Sequence, residues 1–191
     1  MTDDKQAHDD LSYVRSVLDR AERTAESPAS IYFLWAVISF FGFAIIDVFP
    51  EKTGPYWAIA GPLGGVLSAV LGRRASRATG QPSKREGITQ TMHWVGLMVG
   101  IFLMVPLVIT HVISADDFPR LILLVIAMSY YTAGVHVDRR LIPVSLVLVG
   151  CYLLTLFVRD LPHLWTVTAS ILAAALAAAG LFAAARARRA A

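Results

Sequence analysis

Apolar residues in this chain are gathered into six long blocks with short polar breaks between them, and that spacing constrains the fold more than any motif does. The blocks run Ile31–Phe49, Tyr56–Gly72, Thr91–His111, Phe118–Val135, Leu141–Val158 and Pro162–Ala185. Each is 17 to 24 residues long. A bilayer core about 30 Å thick is crossed by ~20 helical residues, with a working range of about 17–25. A helix also satisfies its own backbone hydrogen bonds, which hydrocarbon cannot do for it. The sequence therefore reads as an all-α, polytopic membrane protein. Six transmembrane helices occupy 31–185, a cytoplasmic segment with a short amphipathic helix occupies 1–30, and a basic cytoplasmic tail occupies 186–191.

Composition agrees. Of the 191 residues, 56% are hydrophobic and 16% charged, with a mean hydropathy of +0.59. A soluble domain carries roughly 25% charged residues. A disordered chain, a nucleic-acid module and a water-soluble enzyme of ordinary composition are thereby excluded. The lone cysteine, Cys151, rules out an internal disulfide and a multi-cysteine metal site. The first block begins only at residue 31, after an acid-rich stretch, and does not read as a secretory signal.

Orientation follows from the basic residues. Fourteen of the seventeen Lys and Arg fall before block one, between blocks two and three, after block four and after block six. Lys52, Arg120 and Arg159 fall on the other side. Positively charged loops stay cytoplasmic, so both termini are expected inside. Fourteen Arg against three Lys, with an Ala-rich last block, suggests a bacterial source and hence its inner membrane. The loop GRRASRATGQPSKREG reads as topogenic; it has no interleaved aromatics that would suit a nucleic acid.

The connections expected outside are short, and each carries an acid near a proline: Asp47 before Pro50, Asp117 before Pro119, Asp160 before Pro162. Asp117 and Asp160 are expected to cap the helices that follow, with Ser30 capping the first span. Asp47 precedes no helix directly.

In the cytoplasmic segment, Leu11, Val14, Leu18, Ala21 and Ala25 recur at helical spacing, flanked by the i,i+4 pairs of Arg15, Asp19 and Arg23. Residues 1–30 are net acidic and lack Trp and Phe, unlike a helix that lies on anionic lipid. That stripe is the expected partner-binding surface, directed at the basic loop or at a second copy.

At the bilayer centre no block carries Asp, Glu, Lys, Arg or His. An ion-coupled carrier needs such a group or a broken helix there. A neutral cavity lined by Ser129, Tyr130, Tyr131, Thr132, Tyr152 and Thr155 is the expected ligand site. The histidines offer a second candidate: His93 and His136 lie at the cytoplasmic edge, His111 and His163 at the outer edge. Imidazole pairs suit a transition metal or haem iron. No cofactor is otherwise expected. Gly61 with Gly65, and Gly96 with Gly100, have the GxxxG spacing of close helix contact. Hydrolase, zincin and P-loop motifs are missing, and Ser129 is expected to have no histidine at its own depth, because His136 lies two turns away on the same helix.

The stretch Gly61-Pro62-Leu63-Gly64-Gly65-Val66-Leu67-Ser68-Ala69-Val70-Leu71-Gly72 resembles the second-helix pattern of the six-helix substrate-binding subunits of bacterial vitamin transporters, which match in size and topology. It covers a dozen residues, and Arg73 stands where those proteins carry an acid. The resemblance implies a transport component.

The expected function is a non-enzymatic binding or regulatory component of the inner membrane, homo-oligomeric or complexed, acting through Leu11–Ala25. The alternatives are a transport component for a neutral or aromatic solute, and a haem or metal redox protein.

Overall fold

A computed structural model describes residues 12–13, 28–78, 84–158 and 160–189, with the backbone alone for 78 and 84–87. Among these the regular structure is helical, with no strand: α1 (Ala29–Val48), α2 (Thr53–Ala78), α3 (Lys84–Ile109), α4 (Phe118–His136), α5 (Leu141–Phe157) and α6 (Leu164–Arg189), plus a 3₁₀ turn at Pro50–Lys52. Five of the helices are long and apolar enough to cross a membrane; α5, apolar and 17 residues long, is the shorter one. Leu11, Val14, Leu18, Ala21 and Ala25 lie outside the described residues.

Several helices run past their apolar blocks at the polar ends. Helix α3 starts at Lys84, seven residues ahead of the expected span, and α6 continues to Arg189. The basic loop is thus partly helical at both of its ends. Hydropathy marks the stretch that suits lipid, while backbone hydrogen bonding carries α2, α3 and α6 on into polar sequence.

Each helix packs beside the next in sequence, and α6 returns against α1 to close the circuit. The α1–α6 seam is the most extensive, followed by α4–α5; α3 leans lightly on α4, and α2 barely meets α3. The connections α1–α2, α3–α4 and α5–α6 lie at one end of the bundle, here the loop end. The start of α1 and the finish of α6 lie at the other, the termini end.

Large side chains fill the interior. Leu123, Ala127, Leu148, Ala169, Leu172 and Leu176 are buried, and all four tryptophans turn inward onto them. Phe43 stacks on Trp165 with centroids 6.1 Å apart and meets Trp57 edge-on at 5.6 Å. A Cβ on Gly42 would collide with that same Trp57 ring. Polar ties hold α2 to α1: Trp35 Nε1 donates to Ser68 Oγ at 3.0 Å, and Tyr56 donates to the Ile38 carbonyl at 2.8 Å.

Two clasps lock the circuit. At the termini end the Tyr32 hydroxyl donates to Asp138 Oδ2 at 2.6 Å, joining α1 to the α4–α5 turn. In that turn the Arg140 N–H donates to Asp138 Oδ1, and α5 closes so tightly on α4 that a Cβ on Gly134 would sit 2.9 Å from the Ile142 nitrogen. At the loop end Asp47 caps α6: Oδ2 accepts from the Thr166 N–H at 2.6 Å and hydroxyl at 2.7 Å, and Oδ1 from the Trp165 N–H at 3.3 Å.

That clasp corrects the capping expectations. The acid that serves α6 comes from α1, and Asp160 lies exposed ahead of the helix. Asp117 makes no capping bond with its side chain and turns to Arg120 instead. Pro28, not Ser30, holds the N-cap position of α1, without a side-chain bond. The glycine spacings also divide. Gly64 packs on Trp35 and Ile38 and Gly61 nears Met98, whereas Gly65, Gly96 and Gly100 face open space.

Candidate functional site

A basic residue in the first turn of a helix faces the positive end of the helix dipole, an unfavourable place for a cation. Arg120 occupies that place in α4, and its surroundings offset the cost. Its Nε donates to the Thr155 carbonyl of α5 at 3.1 Å, and Nη1 donates to the Asp116 carbonyl at 3.0 Å and to Asp117 Oδ1 at 2.8 Å. The guanidinium lies 6.0 Å from the ring centroid of Trp165, within reach of cation–π attraction. Its side chain is 15% exposed and that of Asp117 56%.

The local sequence builds this pair. Ser114 Oγ donates to Asp117 Oδ2 at 2.7 Å and accepts from the Asp117 N–H at 3.0 Å, which fixes the turn ahead of α4. Pro119 then enters the first helical turn, where its missing N–H is harmless. Arg120 thereby points across the bundle end to α5 and α6.

Beside the pair is a cavity of about 320 Å³, at the low end of the ~300–1,000 Å³ typical of ligand sites. Val112, Ile113, Leu121 and Leu156 supply apolar wall, and Ser114, Asp117, Arg120 and Tyr152 a polar edge. An ion pair next to hydrocarbon surface is suited to an amphiphilic ligand.

The residues expected to share one neutral cavity are divided among three places. Tyr152 lines the Arg120 cavity. Thr155 is fully buried behind it, its hydroxyl donating to the Tyr152 carbonyl at 2.8 Å. Tyr131 and Thr132 line a separate groove of about 220 Å³ between α4 and α5, and Thr132 donates back to the Met128 carbonyl. Ser129 and Tyr130 turn to α3 instead, where Trp94 meets Tyr130 edge-on at 5.3 Å.

The histidines are also separated. His93 Nε2 lies 3.0 Å from Ser129 Oγ and 3.1 Å from the Ser129 carbonyl oxygen. His136 sits seven residues farther along α4, about 10 Å of helical rise. Ser129 thus does have a histidine at its depth, supplied by the neighbouring helix. The pair ties α3 to α4. His111 and His163 flank helix ends with positive φ, 57° and 55°. Among the described residues no three His, Cys, Asp or Glu side chains gather as metal ligands.

Sequence reasoning counted Arg120 only as an outer charge. The signal that marks it is its position, a cation directly after Asp117-Phe118-Pro119 in a helix start. Compared with family models, curated proteins and solved structures, the chain matches none.

Proposed function

We propose that this chain is a non-catalytic binding component of a bacterial inner membrane, crossing it six times with both termini cytoplasmic, and that it holds a small amphiphilic molecule at its outer end. The observation that carries the reading is the Arg120–Asp117 pair set against the apolar walls of Leu121 and Leu156. Its protein partners already compensate the buried guanidinium, and its place at the cavity edge puts a fixed charge beside apolar wall, where the polar end of an amphiphile would meet it. The stripe Leu11–Ala25 gives the protein its cytoplasmic partner contact, and the open Gly96 and Gly100 face of α3 suits a neighbouring helix, in line with an oligomer or complex.

Native mass spectrometry of the purified protein tests the cavity. A stoichiometric adduct is expected, and Leu156→Trp, which fills the cavity, should remove it. A protein that carries no adduct and gains no thermal stability from any amphiphile sinks the reading. Deleting residues 1–26 should abolish partner recovery while leaving insertion intact. For topology, single cysteines placed at 115 and 188 of a Cys151→Ser background should react from opposite sides of the membrane.

Transport of a neutral or aromatic solute is the second reading, supported by Tyr152 at the cavity edge. Its test is uptake into proteoliposomes.

A further inference from the structure

The cavity beside Arg120 combines two opposite charges and a hydrocarbon wall, and each part selects for a chemical feature. Among the described residues, the bonds of Arg120 to the protein run through Nε and Nη1. Nη2 is the remaining nitrogen, and its N–H groups can make charge-assisted hydrogen bonds to a phosphate oxygen. Tyr152 lines the α5 side of the same cavity and brings a phenol to it. Asp117 stands on the solvent side of the pair with more than half of its side chain exposed. A carboxylate there repels a second anionic group and attracts a cation. Leu121, Leu156, Val112 and Ile113 continue the surface as hydrocarbon.

We propose that this cavity binds the headgroup of a zwitterionic phospholipid with a primary ammonium, of the phosphatidylethanolamine class. The phosphate sits on Arg120 and Tyr152, the ammonium on Asp117, and the start of an acyl chain on Leu121 and Leu156. The assignment rests on the binding role proposed above and gives it a ligand class. Charge complementarity decides among lipids. Phosphatidylglycerol has the phosphate but brings no cation to Asp117. Phosphatidylcholine has the cation but no N–H to donate, so it loses the charge-assisted hydrogen bond, which is the stronger kind.

The test uses the full chain in detergent with graded additions of dioleoyl phosphatidylethanolamine, phosphatidylcholine or phosphatidylglycerol, read by native mass spectrometry and by thermal unfolding. Phosphatidylethanolamine should bind about tenfold more tightly than the other two, the size of one charge-assisted hydrogen bond. Asp117→Asn keeps the shape of the side chain and removes its charge, and it should bring the three lipids to equal affinity. Soluble phosphoethanolamine, lacking tails, should not compete at concentrations that saturate the lipid. Equal binding of all three lipids to the wild type overturns the headgroup assignment and leaves the cavity as a general amphiphile site. An unchanged preference in Asp117→Asn also overturns it, as does effective competition by phosphoethanolamine, which would make the ligand a soluble zwitterion. Binding of no lipid and no other amphiphile overturns both this assignment and the binding role itself.

Discussion

Asp47 and Thr166 lie 119 residues apart in sequence and meet through two hydrogen bonds to one carboxylate oxygen, at 2.6 and 2.7 Å. The acid closes the first turn of a helix to which it does not belong. A cap is usually local, so this one does two tasks at once: it satisfies helix N–H groups and it pins α1 to α6.

Asp47→Ala is therefore expected to cost about 1–2 kcal/mol, the upper range for loss of a helix cap. Thr166→Val should cost less, because the backbone N–H bond survives it. The double variant should be less destabilised than the sum of the two, since they share one oxygen. Unfolding in mixed micelles, followed by helical circular dichroism, reads all three.

At the opposite end Asp138 is 4% exposed and its carboxylate accepts from Tyr32. Tyr32→Phe removes the donor and leaves a buried acceptor short of a partner, an expected loss of about 1.5–3 kcal/mol for a bond to a charged group. If Tyr32→Phe melts with the wild type, the clasp contributes nothing to stability.

Glycine substitutions should separate positions that are packed from positions that are open. Gly134→Ala places a methyl group 2.6 Å from Ile142 Cγ1, and such overpacking costs about 1–3 kcal/mol. Gly96→Ala and Gly100→Ala meet nothing within 4 Å in the chain itself. Both should leave its thermal stability unchanged or slightly raised. Any loss of oligomer in those two variants would be read separately, by light scattering.

Ser129→Ala or His93→Ala should loosen α3 and little else, because His93 is the polar tie between α3 and Ser129 of α4. Hydrogen exchange is the measurement. Faster exchange confined to α3, with α1, α5 and α6 unaffected, is the expected pattern, and uniform acceleration across the bundle would contradict the tie.

The helices themselves were legible in the sequence because each apolar block is continuous and about as long as a membrane-crossing helix. Their neighbours were not. A helix that is apolar all round offers no stripe to say which face meets protein and which meets lipid, so nothing in Ala29–Val48 announces α6 as its main partner. Polar residues inside blocks were legible as unusual but not as pairs. Asp47 stood out because it preceded no helix, and its target lay beyond any local spacing rule. Tyr130 and Ser129 stood out as a polar cluster with Tyr131 and Thr132, yet successive helical residues point about 100° apart. That rotation sends the first two to α3 and the others to the α4–α5 groove. Arg120 was hidden for a different reason: its place after Asp117-Phe118-Pro119 marks a cation in a helix start, but not its contacts with Thr155 and Trp165.

The closing of α6 on α1 also sets an order for biogenesis. As the chain emerges from the ribosome, α1 is complete long before the helix that will cover its most extensive seam exists. Until residue 166 has been synthesised, the Asp47 carboxyl is without the N–H groups it holds in the finished bundle, and Tyr32 likewise precedes Asp138 by 106 residues. Until then the face that α6 will cover has only the second helix of the same chain beside it. A chain truncated before α6 would leave that first helix permanently orphaned.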